Sequence, residues 1–320
     1  LGSYLDMIAP IDDLVEGWED LSDFPALLMD GLKVNGQLYG IPFSMTTRSL
    51  TYRTDLFEAS GLDSNSPPRT WDELVEYGRR LTRRDADGKF TMQGFGASNH
   101  WLKFAAFLFQ AGTNYMSEDL SRFTFADEAG MEAASFVRDM FWEWEIADPA
   151  RSLGDEVHTG GAAMSYQSVG IVTLPDYSPI VEVAPPTTKV RPAQIIEPNI
   201  WVVINTTALR QEAWNWIAFV SEIENLVEYS RLARTLPPRL SAVNYSPWAD
   251  DRRIQQHYAN TVVSMTPSQQ HPLMNATRRD FVQPYLERIF YHGEPLTIWE
   301  EAQRLANARL DEWQQQRSAN

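Results

Sequence analysis

The sequence contains no cysteine, and its 320 residues include five histidines. Without cysteine, disulfides, thiolate zinc sites and cysteine nucleophiles are excluded, although the composition fits either a reducing or an oxidising compartment. No two histidines have the spacing of a helical metal-binding pair. We therefore expect no metal and no other cofactor. The histidines are His100, His158, His257, His271 and His292.

Long apolar runs and excess basic charge are also missing. No uninterrupted apolar stretch approaches the roughly 20 residues that a transmembrane helix needs, so no membrane span is expected in this chain. The 43 acidic residues outnumber the 27 basic ones, which gives a formal net charge of −16. Such a charge repels a phosphate backbone, so nucleic acid is not an expected partner.

The length and the order of local patterns indicate a two-lobed α/β protein. At roughly 150 residues per domain, 320 residues suggest about two domains. Helical and strand-like patterns alternate along the chain, as in α/β folds. We predict helices at 71–81, 127–144, 212–221, 221–232 and 299–313, and strands at 34–43, 49–53, 162–166, 170–174, 180–184 and 200–204.

Three local signals support this assignment. Asn35-Gly36 is typical of a tight turn that leads into a strand. Thr70 and Glu73 have the spacing of a capping box at the start of a helix whose apolar face includes Trp71. A second capping box is predicted from Ser221 to Glu224, where it would open a new helix.

Motifs for catalysis are weak. Gly94-Phe95-Gly96 lacks the third glycine of a dinucleotide fingerprint, and Tyr166–Gly170 lacks the leading glycine of a nucleophile elbow. The run Asp85–Gly88 begins like a calcium loop, but the twelfth position is a glycine, so a simple turn is predicted. Abundant carboxylates leave a glycosidase open as an alternative.

Aromatic residues are plentiful, with 11 Trp, 12 Tyr and 15 Phe. Flat, rigid rings commonly bind the apolar faces of sugars. We expect most of these side chains to be in the core, including Trp71 and Trp214, which lie on the apolar faces of predicted helices.

Seven segments, in one order along the chain, resemble the extracellular solute-binding proteins of carbohydrate ABC importers, the family that includes maltose-, trehalose- and glycerol-phosphate-binding proteins. The resemblance covers nearly the whole chain. Two departures are Glu197-Pro198-Asn199, where members often carry glycines, and Gly170, where an aromatic is common. The segments are Lys33–Ser44, Leu50–Leu62, Pro68–Gly96, Gln110–Gly112, Gly161–Met164, Trp201–Ile204 and Leu236–Arg239.

The resemblance implies a periplasmic-binding-protein-like (type II) fold in which two α/β lobes close on a ligand by hinge motion. The first lobe would comprise 1–46 and 202–245 and be incomplete. The second would comprise 47–201 and 246–320, with crossovers near 44–51 and 197–201. Polar groups would bind hydroxyls, Trp101 would stack on a ring, and an arginine would form a fork. The implied ligand-binding residues are Ser44, Thr46, Thr47, Trp101, Gln167, Ser168, Asn199, Trp201 and Arg239.

The implied function is reversible binding of a sugar or oligosaccharide for delivery to the transmembrane subunits of an ABC permease, outside the cytoplasm and without catalysis. A glycoside-processing enzyme and a ligand-free interaction protein on the same fold are the alternatives. Because the family ordinarily has about two βα units before the point equivalent to Leu1, we also expect roughly one hundred residues upstream. A lipid anchor there is compatible with the implied location.

Overall fold

A computed structural model describes residues 2–168, 180–233, 235–246, 248–265 and 271–318. The predicted strand at 170–174, with Gly170, lies outside these residues. The strands are β1 Ile8–Ala9, β2 Lys33–Val34, β3 Gln37–Leu38, β4 Ile41–Arg53, β5 Arg83–Arg84, β6 Phe90–Phe95, β7 Ala162–Gln167, β8 Val181–Val183, β9 Gln194–Trp201, β10 Val203–Ile204 and β11 Ser264–Met265.

The helices occur between these strands and at the C-terminal end of the described chain. They are α1 Asp12–Val15, α2 Ala26–Asp30, α3 Thr54–Ala59, α4 Trp71–Leu81, α5 Trp101–Gln110, α6 Glu128–Trp142, α7 Arg210–Val220, α8 Ile223–Ala233, α9 Arg252–Asn260, α10 Met274–Thr277, α11 Gln283–His292 and α12 Thr297–Ser318. A π-helical turn, Arg278–Val282, joins α10 to α11.

The long strand β4 organises the main sheet. In the described residues, the strand order is β11-β9-β4-β7-β6-β5, and β8 also pairs with β4. The pairs of β4 with β7, β8 and β9 are antiparallel, whereas β6 with β7 and β9 with β11 are parallel. This mixed sheet flanked by helices confirms the predicted α/β class.

Three groups of buried apolar side chains form the interior. The large core uses residues between 50 and 195 together with 274–310. The small core uses residues between 11 and 41 together with 203–226. A third cluster, which includes Met45, Ile196, Leu236, Trp248 and Tyr258, lies where β4 and β9 run between the other two. The lobe boundaries given above stay a prediction.

Two of the three local signals are confirmed. Asn35 and Gly36 have φ values of 51° and 80°, as the turn between β2 and β3 requires. Thr70 and Glu73 form a reciprocal capping box at the start of α4. The predicted box at Ser221 is wrong: Ser221 is the C-cap of α7, and its buried hydroxyl has no hydrogen-bond partner among the described residues.

The strand predicted at 34–43 is divided between the β2–β3 hairpin and the start of β4, and β4 continues without interruption through the second predicted run at 49–53. The run Asp85–Gly88 forms a turn in which the Asp85 carboxylate accepts from the backbone N–H groups of Asp87 and Lys89. No group of side chains suited to a metal ion is found among the described residues.

Gly94 lies where β6 packs closely against α4. A Cβ added there would lie 1.9 Å from the carbonyl oxygen of Gly78, so the glycine at position 94 allows β6 to approach the backbone of α4 closely. Trp71 and Trp214 are both buried, as predicted.

Candidate functional site

Strands β4 and β9 run antiparallel past the boundary between the small and large cores and present a row of polar side chains. Ser44 pairs with Asn199 and Thr46 pairs with Glu197. Because paired residues point to the same side and side chains alternate along a strand, Arg48 shares this side as well. We call these five residues the crossover face. The Asn199 amide donates to the Ser44 hydroxyl over 2.8 Å, which fixes one end of it.

Glu197 is the acidic group of the crossover face. It is partly buried, and this burial raises its pKa to about 7, although the charges of Arg278 and Arg48 oppose the rise. Burial also lowers the pKa of Arg48, whose guanidinium donates to the backbone oxygen of Thr47 over 2.8 Å. The crossover face therefore contains a carboxyl that titrates near neutrality beside two guanidinium groups.

Arg278 comes from the π-helical turn and lies over the indole of Trp101, with 3.7 Å between the guanidinium carbon and the ring centroid. Its Nη2 donates to the side chain of Asn275, while its buried Nε has no hydrogen-bond partner among the described residues. Burial lowers the pKa of Arg278. Turns of this kind are frequent at functional sites.

Trp101 is the first residue of α5, and it is partly buried. The face that Arg278 covers is closed to a sugar ring in this conformation. Next to it, the ring nitrogen Nδ1 of His100 accepts from the Leu102 N–H and caps α5. Burial, together with the charges of Arg48 and Lys103, lowers the pKa of His100 to about 4, so this imidazole is neutral at pH 7.

Lys103 of α5 forms ion pairs with two nearby carboxylates, and its single charge balances one of them. Its buried ammonium lies 3.1 Å from a carboxylate oxygen of Asp155 and 2.7 Å from one of Glu156. It also donates to the Ser165 hydroxyl over 3.3 Å. Both carboxylates act on Arg48 through their charge, which places this ion-paired group beside the crossover face.

Three of the predicted ligand-binding residues do not belong to the crossover face: Thr47, Gln167 and Ser168. Thr47 alternates with Thr46 and is therefore on the opposite side of β4. Both Thr47 and Gln167 are buried. The side-chain oxygen Oε1 of Gln167 accepts from the Val157 N–H over 2.8 Å. The Thr47 hydroxyl and the Gln167 amide nitrogen have no hydrogen-bond partner among the described residues. Ser168 is partly exposed at the end of β7.

Trp201 packs as part of the small core. Its ring stacks on Phe43 with centroids 4.2 Å apart and meets Trp216 edge-on at 4.8 Å. These contacts hold the Trp201 ring against the small core, whereas Trp101 packs against the large one.

Arg239, the predicted arginine fork, is 5% exposed and is held by two carboxylates. It lies 2.8 Å from Asp20 and 2.7 Å from Asp23, and it donates to the backbone oxygen of Ser221 over 3.1 Å. Because these partners occupy its Nε and both terminal nitrogens, we leave Arg239 out of the candidate site.

Sequence reasoning missed Arg48, Glu197 and Arg278 as site residues. Glu197 lies in the segment Glu197-Pro198-Asn199, which departs from the family pattern, and this departure is a sequence signal that points to it. Arg278 belongs to no recognised motif and reaches the crossover face through the fold alone.

A polar depression of about 290 Å³ is lined by Asp155, Arg151 and Tyr291, together with six further residues. Arg151 is exposed in this depression and lies 4.7 Å from the ring centroid of Tyr291. Its other lining residues are Gln93, Ala97, Asp148, Ser152, Leu153 and Gly154. This depression is the competing location for a ligand.

The raised pKa of Glu197 predicts a specific pH dependence of stability. A carboxyl whose pKa rises from 4.5 to about 7 on folding contributes stability below pH 4.5, and this contribution is lost as the pH increases through 7. We expect Glu197→Gln to reduce the fall in unfolding free energy between pH 5 and pH 8 by about 1–3 kcal/mol, because partial exposure weakens the full effect.

Denaturant titrations at several pH values would measure this. Glu312→Gln, on the exposed side of α12, is the control and should leave the pH profile unchanged. Parallel profiles for the wild type and Glu197→Gln would show that Glu197 does not titrate in this range.

The chain resembles known proteins both in sequence and in fold. A profile described as "Bacterial extracellular solute-binding protein" matches residues 4–225. A probable amino-acid ABC transporter periplasmic-binding protein, y4oP of Sinorhizobium fredii, is 29% identical over 134 residues, 41% of this chain and 30% of that protein. The mannitol-binding protein of Pseudomonas aeruginosa is 39% identical over 80 residues, 22% of this chain and 18% of that protein.

Among solved structures, the sugar-binding protein MalE from Xanthomonas citri has a TM-score of 0.84 at 18% identity, covering 99% of this chain and 82% of that one. This likeness confirms the two-lobed solute-binding fold. The matches to y4oP and to the mannitol-binding protein span less than a third of either protein's length. In the described residues, no helix is both long enough and apolar enough to cross a bilayer. Because the profile covers more than half of the chain, the protein belongs to the bacterial extracellular solute-binding protein family.

Proposed function

We propose that the protein reversibly binds a sugar, polyol or oligosaccharide at the crossover face and delivers it to the transmembrane subunits of an ABC permease, outside the cytoplasm. The observation that carries this proposal is the polar row on β4 and β9, at the boundary between the two cores, in a member of this family. A ligand held there would contact both lobes, so its binding would favour hinge closure.

The chemistry of the row suits hydroxyl groups. A sugar hydroxyl both donates and accepts, and Thr46 and Asn199 offer both functions. Ser44 is buried behind them and accepts from the Asn199 amide. Arg48 adds donors, and Glu197 adds an acceptor or, when protonated, a donor. The relatives are named for mannitol, for sugar and, in y4oP, for amino acids, so an amino-acid ligand is the alternative outcome of the test.

The arrangement of the carboxylates favours binding without catalysis over glycoside hydrolysis. A glycosidase needs two facing carboxyl groups about 5–9.5 Å apart that are free to act as acid and base or nucleophile. Among the described residues near the crossover face, Asp155 and Glu156 are both in contact with Lys103, which leaves Glu197. A ligand-free interaction protein remains the third hypothesis, and the contact of Arg278 with Trp101 is the observation that favours it.

A thermal-shift screen tests the proposal, with a panel of sugars, polyols, oligosaccharides and amino acids. A ligand present at 100 times its dissociation constant should stabilise the protein by about 2.7 kcal/mol. We expect at least one sugar or polyol to raise the melting temperature in a saturable way and to be recovered unchanged. Selective stabilisation by amino acids, turnover of a glycan, or no response to any compound would each contradict the proposal.

Trp101→Ala should lower ligand affinity about tenfold or more while costing less stability than a core tryptophan, whose truncation costs about 3–5 kcal/mol. The reason is that Trp101 is partly exposed at the start of α5, beside the crossover face. Calorimetric affinity and denaturant stability would be measured together.

Trp142→Ala is the matched control, because Trp142 is a partly exposed helical tryptophan, 44% exposed, of the same lobe. The control variant should retain its affinity. If Trp101→Ala instead loses the stability of a core residue and its folded fraction binds normally, the stacking role is wrong.

A further inference from the structure

Arg48 and Arg278 differ from most partly buried arginines of this chain because neither has a carboxylate within salt-bridge distance in the described residues. Arg239 and Arg253, by contrast, each have a carboxylate oxygen within 2.7 Å. Burying a cation without a paired anion is costly, and both Arg48 and Arg278 show that cost as a lowered pKa. A protein with a net charge of −16 has many carboxylates that could have paired with them.

The carboxylates around the two arginines act on them through their charge, but none in the described residues is within salt-bridge distance of either guanidinium. Asp155 and Glu156 are engaged by Lys103. The His100 ring is neutral at pH 7 because its pKa is lowered to about 4. Glu197 is close enough to both arginines for their charges to lower its pKa, yet burial still raises that pKa to about 7. At pH 7 this carboxyl therefore provides only part of a negative charge.

The two guanidinium groups come from different elements, and each is close enough to Glu197 for its charge to lower the pKa of that carboxyl. Arg48 projects from β4, and Arg278 projects from the π-helical turn, where its planar group is oriented by the Trp101 ring. Its Nε has no hydrogen-bond partner in the described part of the chain. Planar forks of this kind match carboxylate and phosphate oxygens, with two parallel hydrogen bonds to each anion.

We propose that Arg48 and Arg278 together bind the anionic group, a carboxylate or a phosphate, of a hydroxylated ligand whose hydroxyls contact Thr46 and Asn199. This inference rests on the proposed function and narrows the ligand to sugar acids and phosphorylated polyols. Glu197 then modulates binding: in its protonated form it can donate to the anion, and in its ionised form it repels it.

Calorimetric titration with two matched pairs of compounds tests this: gluconate against sorbitol, and glycerol 3-phosphate against glycerol. We expect the anionic member of at least one pair to bind more than tenfold more tightly than its uncharged counterpart. The pair that shows the preference identifies the anion as carboxylate or phosphate. Arg48→Met and Arg278→Met should each weaken binding of that anion by about 10–100-fold and remove the preference.

Arg151→Met is the control, because Arg151 is an exposed arginine in the competing depression, and it should bind the anion as the wild type does. If Arg278→Met does not fold, Arg278→Lys keeps the charge without the planar fork and should still weaken binding. Glu197→Gln provides a readout that a purely structural role would not change. Its affinity for the preferred anion should exceed that of the wild type at pH 8, and the difference should vanish near pH 5.

The outcomes separate this inference from the proposed function. Tight binding of sorbitol or of another uncharged sugar, unaffected by Arg48→Met and Arg278→Met, would overturn the anion clamp and leave the proposed function standing. Loss of anion binding in Arg151→Met would move the site to the competing depression and overturn the inference. Absence of binding by every charged and uncharged compound would contradict both.

Discussion

Replacing Gln110 by leucine is expected to lower the free energy of unfolding by about 3–6 kcal/mol, because buried partners of its amide would lose their hydrogen bonds. The Gln110 side chain is fully buried at the end of α5. Its oxygen accepts from the Trp71 indole over 2.7 Å and from the Thr187 hydroxyl over 2.9 Å. Its nitrogen donates to the Tyr166 hydroxyl over 2.7 Å and to the backbone oxygen of Ala193 over 2.8 Å.

This network also fixes functional geometry. It ties α5, which begins with Trp101, to the segment that leads into β9, which carries Glu197. Denaturant unfolding would measure the loss, with Gln211→Leu as the control, since Gln211 is exposed on α7 and should change stability by no more than about 0.5 kcal/mol. A loss below about 1 kcal/mol in Gln110→Leu would show that the network is not formed in solution.

Arg239→Met should lower the free energy of unfolding by about 2–4 kcal/mol without changing ligand affinity per folded molecule. Breaking a buried ion pair by removing one partner typically costs about 3–5 kcal/mol. The partial exposure of the carboxylates, 40% for Asp20 and 20% for Asp23, reduces that cost. The interaction joins the segment after α8 to the turn before α2 and so stabilises the region of the small core.

Arg231→Met provides the comparison. Arg231 also forms an ion pair, with Glu228, but both side chains are more than half exposed, so its removal should lower the free energy of unfolding far less than Arg239→Met does. If Arg239→Met instead keeps its stability and loses affinity, Arg239 belongs to the ligand site, as the family resemblance implied.

The sequence was sufficient where short-range rules decide the structure. The Thr70–Glu73 capping box, the Asn35-Gly36 turn and the helix containing Trp71 all depend on neighbours within a few residues, and all three are confirmed. The Ser221 prediction failed because the same residue also fits the C-terminal end of the preceding helix, and packing there determined its role.

The site was harder to predict, because its geometry is assembled from distant segments. The crossover at Ser44–Thr46 and Asn199 follows from family order, and the structure shows these residues side by side. The position of Arg278 over Trp101 joins residues 177 positions apart, and no local pattern encodes that contact. Likewise, the pairing of Arg239 with Asp20 and Asp23 depends on the tertiary fold rather than on the residues beside Arg239.

A crystal structure of the protein with the compound that binds most tightly in the screens tests the central claim most directly. The account predicts that the ligand lies against β4 and β9, with its hydroxyls within hydrogen-bond distance of Thr46 or Asn199 and with Arg48 in contact. A ligand bound in the depression beside Arg151, or on the surface of one lobe away from β4 and β9, would contradict it.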